Sequence, residues 1–98
     1  MNLDDRIVAF TKLGKFLSQF SQKGIAKAED IAHNDLFFDG FKHQIKLAEE
    51  HNGWFTKDNI LFSIDGWSKS LTVNNINQWF KKYNFNNKNI SNVAVIMA

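Results

Sequence analysis

Cysteine and proline are absent from the 98 residues, and glycine occurs only five times. Without a thiol the chain has no disulfide framework, no thiolate zinc site and no cysteine nucleophile, which excludes a stapled secreted scaffold and a self-sufficient cysteine enzyme. A reducing cytoplasm is the expected compartment. Long apolar runs are missing too, since none approaches the roughly 18 residues needed to cross a bilayer. Met1-Asn2-Leu3-Asp4-Asp5 places acids where a secretory signal carries Lys or Arg, so export by that route is not expected. Acid is in turn missing from the last third of the chain. No Asp or Glu follows Asp65, while Lys69, Lys81, Lys82 and Lys88 make residues 66–98 basic within a chain whose net charge is +2. Four lysines with no arginine are a thin footprint for nucleic acid, and they read as solvated surface.

What is present is 44% hydrophobic and 22% charged, the balance of one small domain with a feasible but marginal core. Asn2 before Leu3-Asp4-Asp5 reads as an N-cap with carboxylates at the positive end of a helix dipole. Leu3, Ile7, Phe10, Leu13, Phe16, Leu17 and Phe20 then recur at helical spacing, with Arg6, Lys12, Lys15 and Gln19 pointing elsewhere. Lys23-Gly24-Ile25 fits a C-terminus of the Schellman kind, and Gly14 is a local weakness of about 1 kcal/mol against Ala. Residues 25–33 read as a linker or short helical turn. Asn34 or Asp35 can cap a second helix with Phe37, Phe41, Ile45 and Ala48 on its buried face, bent or closely packed at Gly40.

The best written boundary is Phe55-Thr56-Lys57-Asp58-Asn59-Ile60, a Thr N-cap flanked by a hydrophobic staple. The same device returns at Leu71-Thr72 with Ile76. Ile60, Ile64, Trp67 and Leu71, broadened by Leu61 and Phe62, form the third helix's apolar face, and Ile76, Trp79, Phe80 and Tyr83 the fourth's. The turn-rich Asn84–Asn89 segment closes the helices. Val93-Ala94-Val95-Ile96-Met97 is continuous, apolar and β-branched, the pattern of a strand covered on both faces. The expected fold is therefore mainly α: about four helices (roughly 3–23, 35–51, 57–69 and 73–84), then one C-terminal strand (about 92–97). That strand has no partner in this reading, so residues 1–90 are expected to be a helical region and 91–98 the first strand of a following α/β domain.

Residues suited to catalysis do not converge. His43 and His51 lie eight apart, about 12 Å along a helix and too far to share a metal ion, and His33 stands alone. Asp39 and His43 lack a third ligand. Glu49 and Glu50 are adjacent, so they point about 100° apart instead of facing across a substrate. The glycines are scattered singly, without a phosphate-cradling loop. Three Trp and ten Phe are a heavy aromatic load, expected mainly in the core, with Trp54-Phe55 at a helix junction the best candidate for an exposed docking patch.

Arg6-Ile7-Val8-Ala9-Phe10 with Leu13-Gly14-Lys15-Phe16-Leu17, then Asn52-Gly53-Trp54-Phe55-Thr56, Trp67, Leu71-Thr72 and Val93-Ala94-Val95-Ile96-Met97-Ala98, resemble in order and pattern the N-terminus of LuxC-like acyl-CoA reductases of the Bacteroidetes type. The twelve Asn are in keeping with an AT-rich genome. The resemblance implies an aldehyde-dehydrogenase-like fold and the NADPH-dependent reduction of a fatty acyl thioester to an aldehyde. A thiolate would attack the thioester carbonyl, CoA would leave, and hydride would collapse the acyl-enzyme. With no Cys here, the nucleophile and most of the cofactor loop would lie beyond Ala98. No catalytic, cofactor or metal residue is carried over. The candidate interface residues are Trp54, Phe55, Val93, Val95 and Ile96, and the expected partner is the rest of the same enzyme. The competing expectation is a small helical interaction module that dimerises through Val93–Met97.

Overall fold

The computed structural model describes residues 2–82. Within them lie α1 (Leu3–Leu17), β1 (Phe20–Ser21), β2 (Gly24–Ile25), α2 (Asn34–His51), α3 (Lys57–Ser70) and α4 (Val73–Phe80). The mainly helical expectation holds, but the strands fall elsewhere. The expected strand at 92–97 lies outside the described residues, as do Tyr83 and Asn84; the described strands interrupt what was expected to be a continuous first helix.

That helix begins as its sequence predicts. The Asn2 side chain accepts from the Asp5 N–H at 2.8 Å while the Asp5 carboxylate accepts from the Asn2 N–H at 3.4 Å, a reciprocal capping box. It stops at Leu17 and not at residue 23. Ser18 closes the last turn on Gly14, and the Gln19 carbonyl leaves the helix to accept from the Ala26 N–H at 3.0 Å. The chain then doubles back through an antiparallel pair with Phe20 opposite Ile25 and Ser21 opposite Gly24. Gly24 therefore serves the hairpin instead of a helix cap, at φ +140°, a conformation that L side chains rarely adopt. The gain from leaving the helix is Phe20, which becomes completely buried. Its ring lies 4.8 Å from Phe41 and 5.1 Å from Phe38, with Phe16 5.6 Å away, all within the range of favourable aromatic pairs.

Around Phe20 the core consists of Phe38, Ile45, Leu61 and Ile64, flanked by Phe16, Leu17, Ile25, Phe41 and Ile60. The third helix is the centre of the packing: α1, α2 and β1 all lie against it, and α4 turns back onto α1. The faces turn slightly from those expected. On α2, Phe38 is buried and Phe37 exposed. Both phenylalanines fit the spacing to Phe41, but the buried Asn34 one turn earlier selects Phe38. On α3 the inward row is Leu61, Ile64, Ser68 and Leu71, which turns Trp67 outward. On α1, Ile7, Thr11 and Gly14 face inward, leaving Phe10 and Leu13 exposed. The smallest residue faces the protein because the backbone at Leu71 arrives there.

Both predicted threonine caps form. Thr56 Oγ1 accepts from the Asn59 N–H at 3.2 Å and Thr72 Oγ1 from the Asn75 N–H at 3.3 Å. The device extends further than the staple. The side-chain amides of Asn59 and Asn75 donate backward across their caps, to the Trp54 carbonyl at 3.4 Å and the Lys69 carbonyl at 2.8 Å. Each Thr-x-x-Asn-Ile unit thus ties a new helix to the end of the preceding segment. The eight residues of α4 are too few to sustain a helix alone, so it depends on such ties. Thr72→Ala is expected to cost about 1 kcal/mol, a fall in Tm of roughly 4–8 °C, and Thr72→Ser to retain most of it. Thermal melts of both variants followed by circular dichroism check this. The expected fourth helix at 73–84 closes at Phe80, where the Lys81 N–H donates to the Asn77 carbonyl at 3.1 Å.

Candidate interaction surface

The first two helices both lean on the third and meet each other where the Phe16 and Phe41 rings come within 5.5 Å. Beside that contact an open groove of about 990 Å³ lies between them. Val8 and Leu13 line one wall, Leu36 and Phe37 the other. All four are exposed, Leu36 at 74% and Phe37 at 59%. Gly40 lines the same wall, and a Cβ there would meet nothing within 4 Å. Of the bend or close packing expected at Gly40, the close packing is absent; the space beside it is the groove. Polar groups are few along it: Asp5, Lys12 and Gln44 among them, with His33 at one end.

Ala32 and His33, just before α2, line it as well. Asp30 and His33 both adopt left-handed backbone conformations, at φ 58° and 61°. His33, and neither Asn34 nor Asp35, is the N-cap of α2, and its side chain makes no cap hydrogen bond. Its ring instead lies 6.5 Å from Phe37. Asn34 is the first helical residue, with its side chain engaged inward. Its amide donates to Gln19 Oε1 at 2.7 Å and to the Ala28 carbonyl at 3.2 Å, while its Oδ1 accepts from Gln19 Nε2 at 2.9 Å. Gln19, expected on the solvent side of the first helix, is buried with it. A surface ion pair of Lys27 with Asp35, at 3.5 Å, lies over the same turn.

Trp54 is 86% exposed and Phe55 also faces solvent, on the connection between α2 and α3. Val93, Val95 and Ile96 lie outside the described residues. The expectation that the tryptophans belong mainly to the core is corrected: Trp67 and Trp79 are 63% and 61% exposed. The reason is register. Rows of small or aliphatic residues, Ser68 on α3 and Ile76 on α4, occupy the inward positions next to them. Trp79 stacks obliquely beside Phe80, 5.0 Å between ring centroids.

Among the described residues no three His, Asp or Glu side chains are grouped to hold a metal ion. His43, His51, Glu49 and Glu50 are all exposed along α2. The glycines stand singly in three helices, a hairpin and a loop. No described helix is long and apolar enough to cross a membrane. The groove itself was not singled out from sequence. Its signal is the excess of apolar residues on α1 and α2 over what one buried stripe requires: Val8 and Leu36 belong to neither expected face. No protein-family model, curated protein or solved structure matches the chain.

Proposed function

We propose that these residues are the non-catalytic, helical N-terminal region of an NADPH-dependent acyl-CoA reductase, which converts a fatty acyl thioester to an aldehyde. In this reading residues 91–98 begin the α/β cofactor-binding domain, and the cysteine nucleophile and the NADPH site belong to the chain that follows. The helices serve as a support that packs on the larger enzyme. The observation that carries the structural part of the reading is the exposed apolar surface. An open groove walled by Val8, Leu13, Leu36 and Phe37, together with three exposed tryptophans, leaves apolar side chains uncovered that a larger enzyme body would cover. The resemblance in the order of the sequence motifs supplies the chemistry. No residue described here is assigned to acyl transfer or to hydride transfer.

The test is the mass of the protein in its native cells, detected with an antibody raised against this segment. A band several times heavier than 11.3 kDa is expected. A band at 11.3 kDa would sink the reductase reading and favour a small interaction module.

A further inference from the structure

We propose that the groove between α1 and α2 is a self-association surface whose occupant is α1 of a second copy of this chain, laid antiparallel along the first. The order of charges carries the argument. Asp5 and Lys12 both line the groove and both are exposed, on either side of Val8 and Ala9. Seven residues set them two turns apart on one face of the helix, about 10 Å along its axis and too far to pair with each other. Neither belongs to an ion pair among the described residues. Their midpoint falls between Val8 and Ala9, so a two-fold axis through that point reverses the helix onto itself with the signs exchanged. Asp5 of each copy then meets Lys12 of the other. A patch that complements itself when turned end for end is what an isologous dimer requires. Laid parallel and in register, the same helices would set Asp5 against Asp5 and Lys12 against Lys12, so the charges fix direction as well as register.

The apolar side chains of the two walls supply the burial. Val8 and Leu13 on α1, and Leu36 and Phe37 on α2, are exposed in the single chain and would be covered by the incoming helix. Ala9, beside the two-fold axis, is small enough for the helix axes to approach closely. A Cβ at Gly40 would meet nothing within 4 Å, which leaves room there for a side chain of the second copy. The inference concerns α1 and α2 alone and does not rest on the reductase reading. It gives the groove to a second copy and leaves the three exposed tryptophans to the larger body proposed above.

Sedimentation equilibrium of the 98-residue chain tests this, with a mass expected to rise with concentration from 11.3 kDa towards twice that value. Asp5→Lys and Lys12→Glu each set like charges against one another, twice per dimer by symmetry, and each is expected to raise the dissociation constant at least about tenfold. Mixed in equal amounts, the two variants join opposite charges at both contacts, and the dissociation constant of the mixed dimer is expected to return to within about threefold of the parent value. Val8→Glu, beside the axis and away from the helix cap, is expected to abolish the dimer while circular dichroism shows the helices retained, since Val8 is exposed in the single chain. A chain that stays at 11.3 kDa up to about 1 mM overturns the proposal. So does a dimer that all three variants leave unchanged, which would place the contact on another surface. Two charge variants that remain monomeric when mixed overturn the antiparallel pairing, and with it the assignment.

Discussion

Gly14→Ala is expected to destabilise the protein by about 2 kcal/mol, although alanine is the better helix former by about 1 kcal/mol. A Cβ built at Gly14 falls on the carbonyl oxygen of Leu71 and stands 2.8 Å from the Leu71 Cβ. Neither atom belongs to a flexible side-chain end, so the strain is relieved only by moving α1 away from the corner between α3 and α4. That movement would also loosen Ile76 and the half-buried Leu71 beside it. At this chain length a loss of 2 kcal/mol lowers Tm by roughly 10 °C. Gly40→Ala is the matched control. It too lies within a helix, but a Cβ there meets nothing, so the same substitution is expected to stabilise by about 0.5–1 kcal/mol. Thermal melts of the two variants should shift in opposite directions. A stabilised Gly14→Ala variant would refute the close approach of α1 to Leu71.

This pair of glycines shows where sequence reasoning reaches its limit. Both stand inside apolar helical patterns, and local propensity assigns both the same weakness. Only the arrival of Leu71, 57 positions away along the chain, distinguishes them. Features written within one turn were legible: the Asn2 N-cap, the Thr56 and Thr72 caps, the span of α2 and the start of α3. The end of α1 was not, because a helix continuing to residue 23 satisfies every local rule. The competing gain, Phe20 between Phe38 and Phe41, involves residues eighteen and more positions later. The turn of each helix about its axis was lost for the same reason, since Phe37 and Phe38, or Trp67 and Ser68, differ by one position in spacing. The exposed apolar surface was legible in part. Trp54 and Phe55 stand at a junction and are exposed, while the groove depends on how α1 and α2 are set beside each other, which no pattern within either helix records.

The largest expected loss comes from the amide pair beneath residues 26–33. Gln19 and Asn34 leave no side-chain hydrogen-bonding atom unpartnered: Gln19 Nε2 donates to the Phe16 carbonyl at 3.0 Å and to Asn34, and its Oε1 accepts from the Ala28 N–H at 3.0 Å and from Asn34. Such a closed network is favourable only when complete, because each unpartnered buried group costs about 1–3 kcal/mol. Asn34→Ala strands one Gln19 N–H and the Ala28 carbonyl, an expected cost of about 3 kcal/mol. Asn34→Asp goes further at neutral pH. Two acceptors, Gln19 Oε1 and the Ala28 carbonyl, would then face a carboxylate oxygen at the distances of 2.7 and 3.2 Å now held by an N–H. Burial and repulsion disfavour the charged form, so the introduced carboxyl titrates above its unfolded value. Its cost is smallest in acid, where the protonated group donates one hydrogen bond, and grows as pH rises through the raised pKa. Asn34→Ala has no such dependence at this site. Chemical denaturation of both variants between about pH 3 and pH 7 separates the two, with the Asp variant losing ground to the Ala variant as pH increases. Pairing each with Gln19→Ala adds the decisive reading: in a shared network the second substitution costs much less than it does alone, whereas additive losses would mean that the two amides act independently.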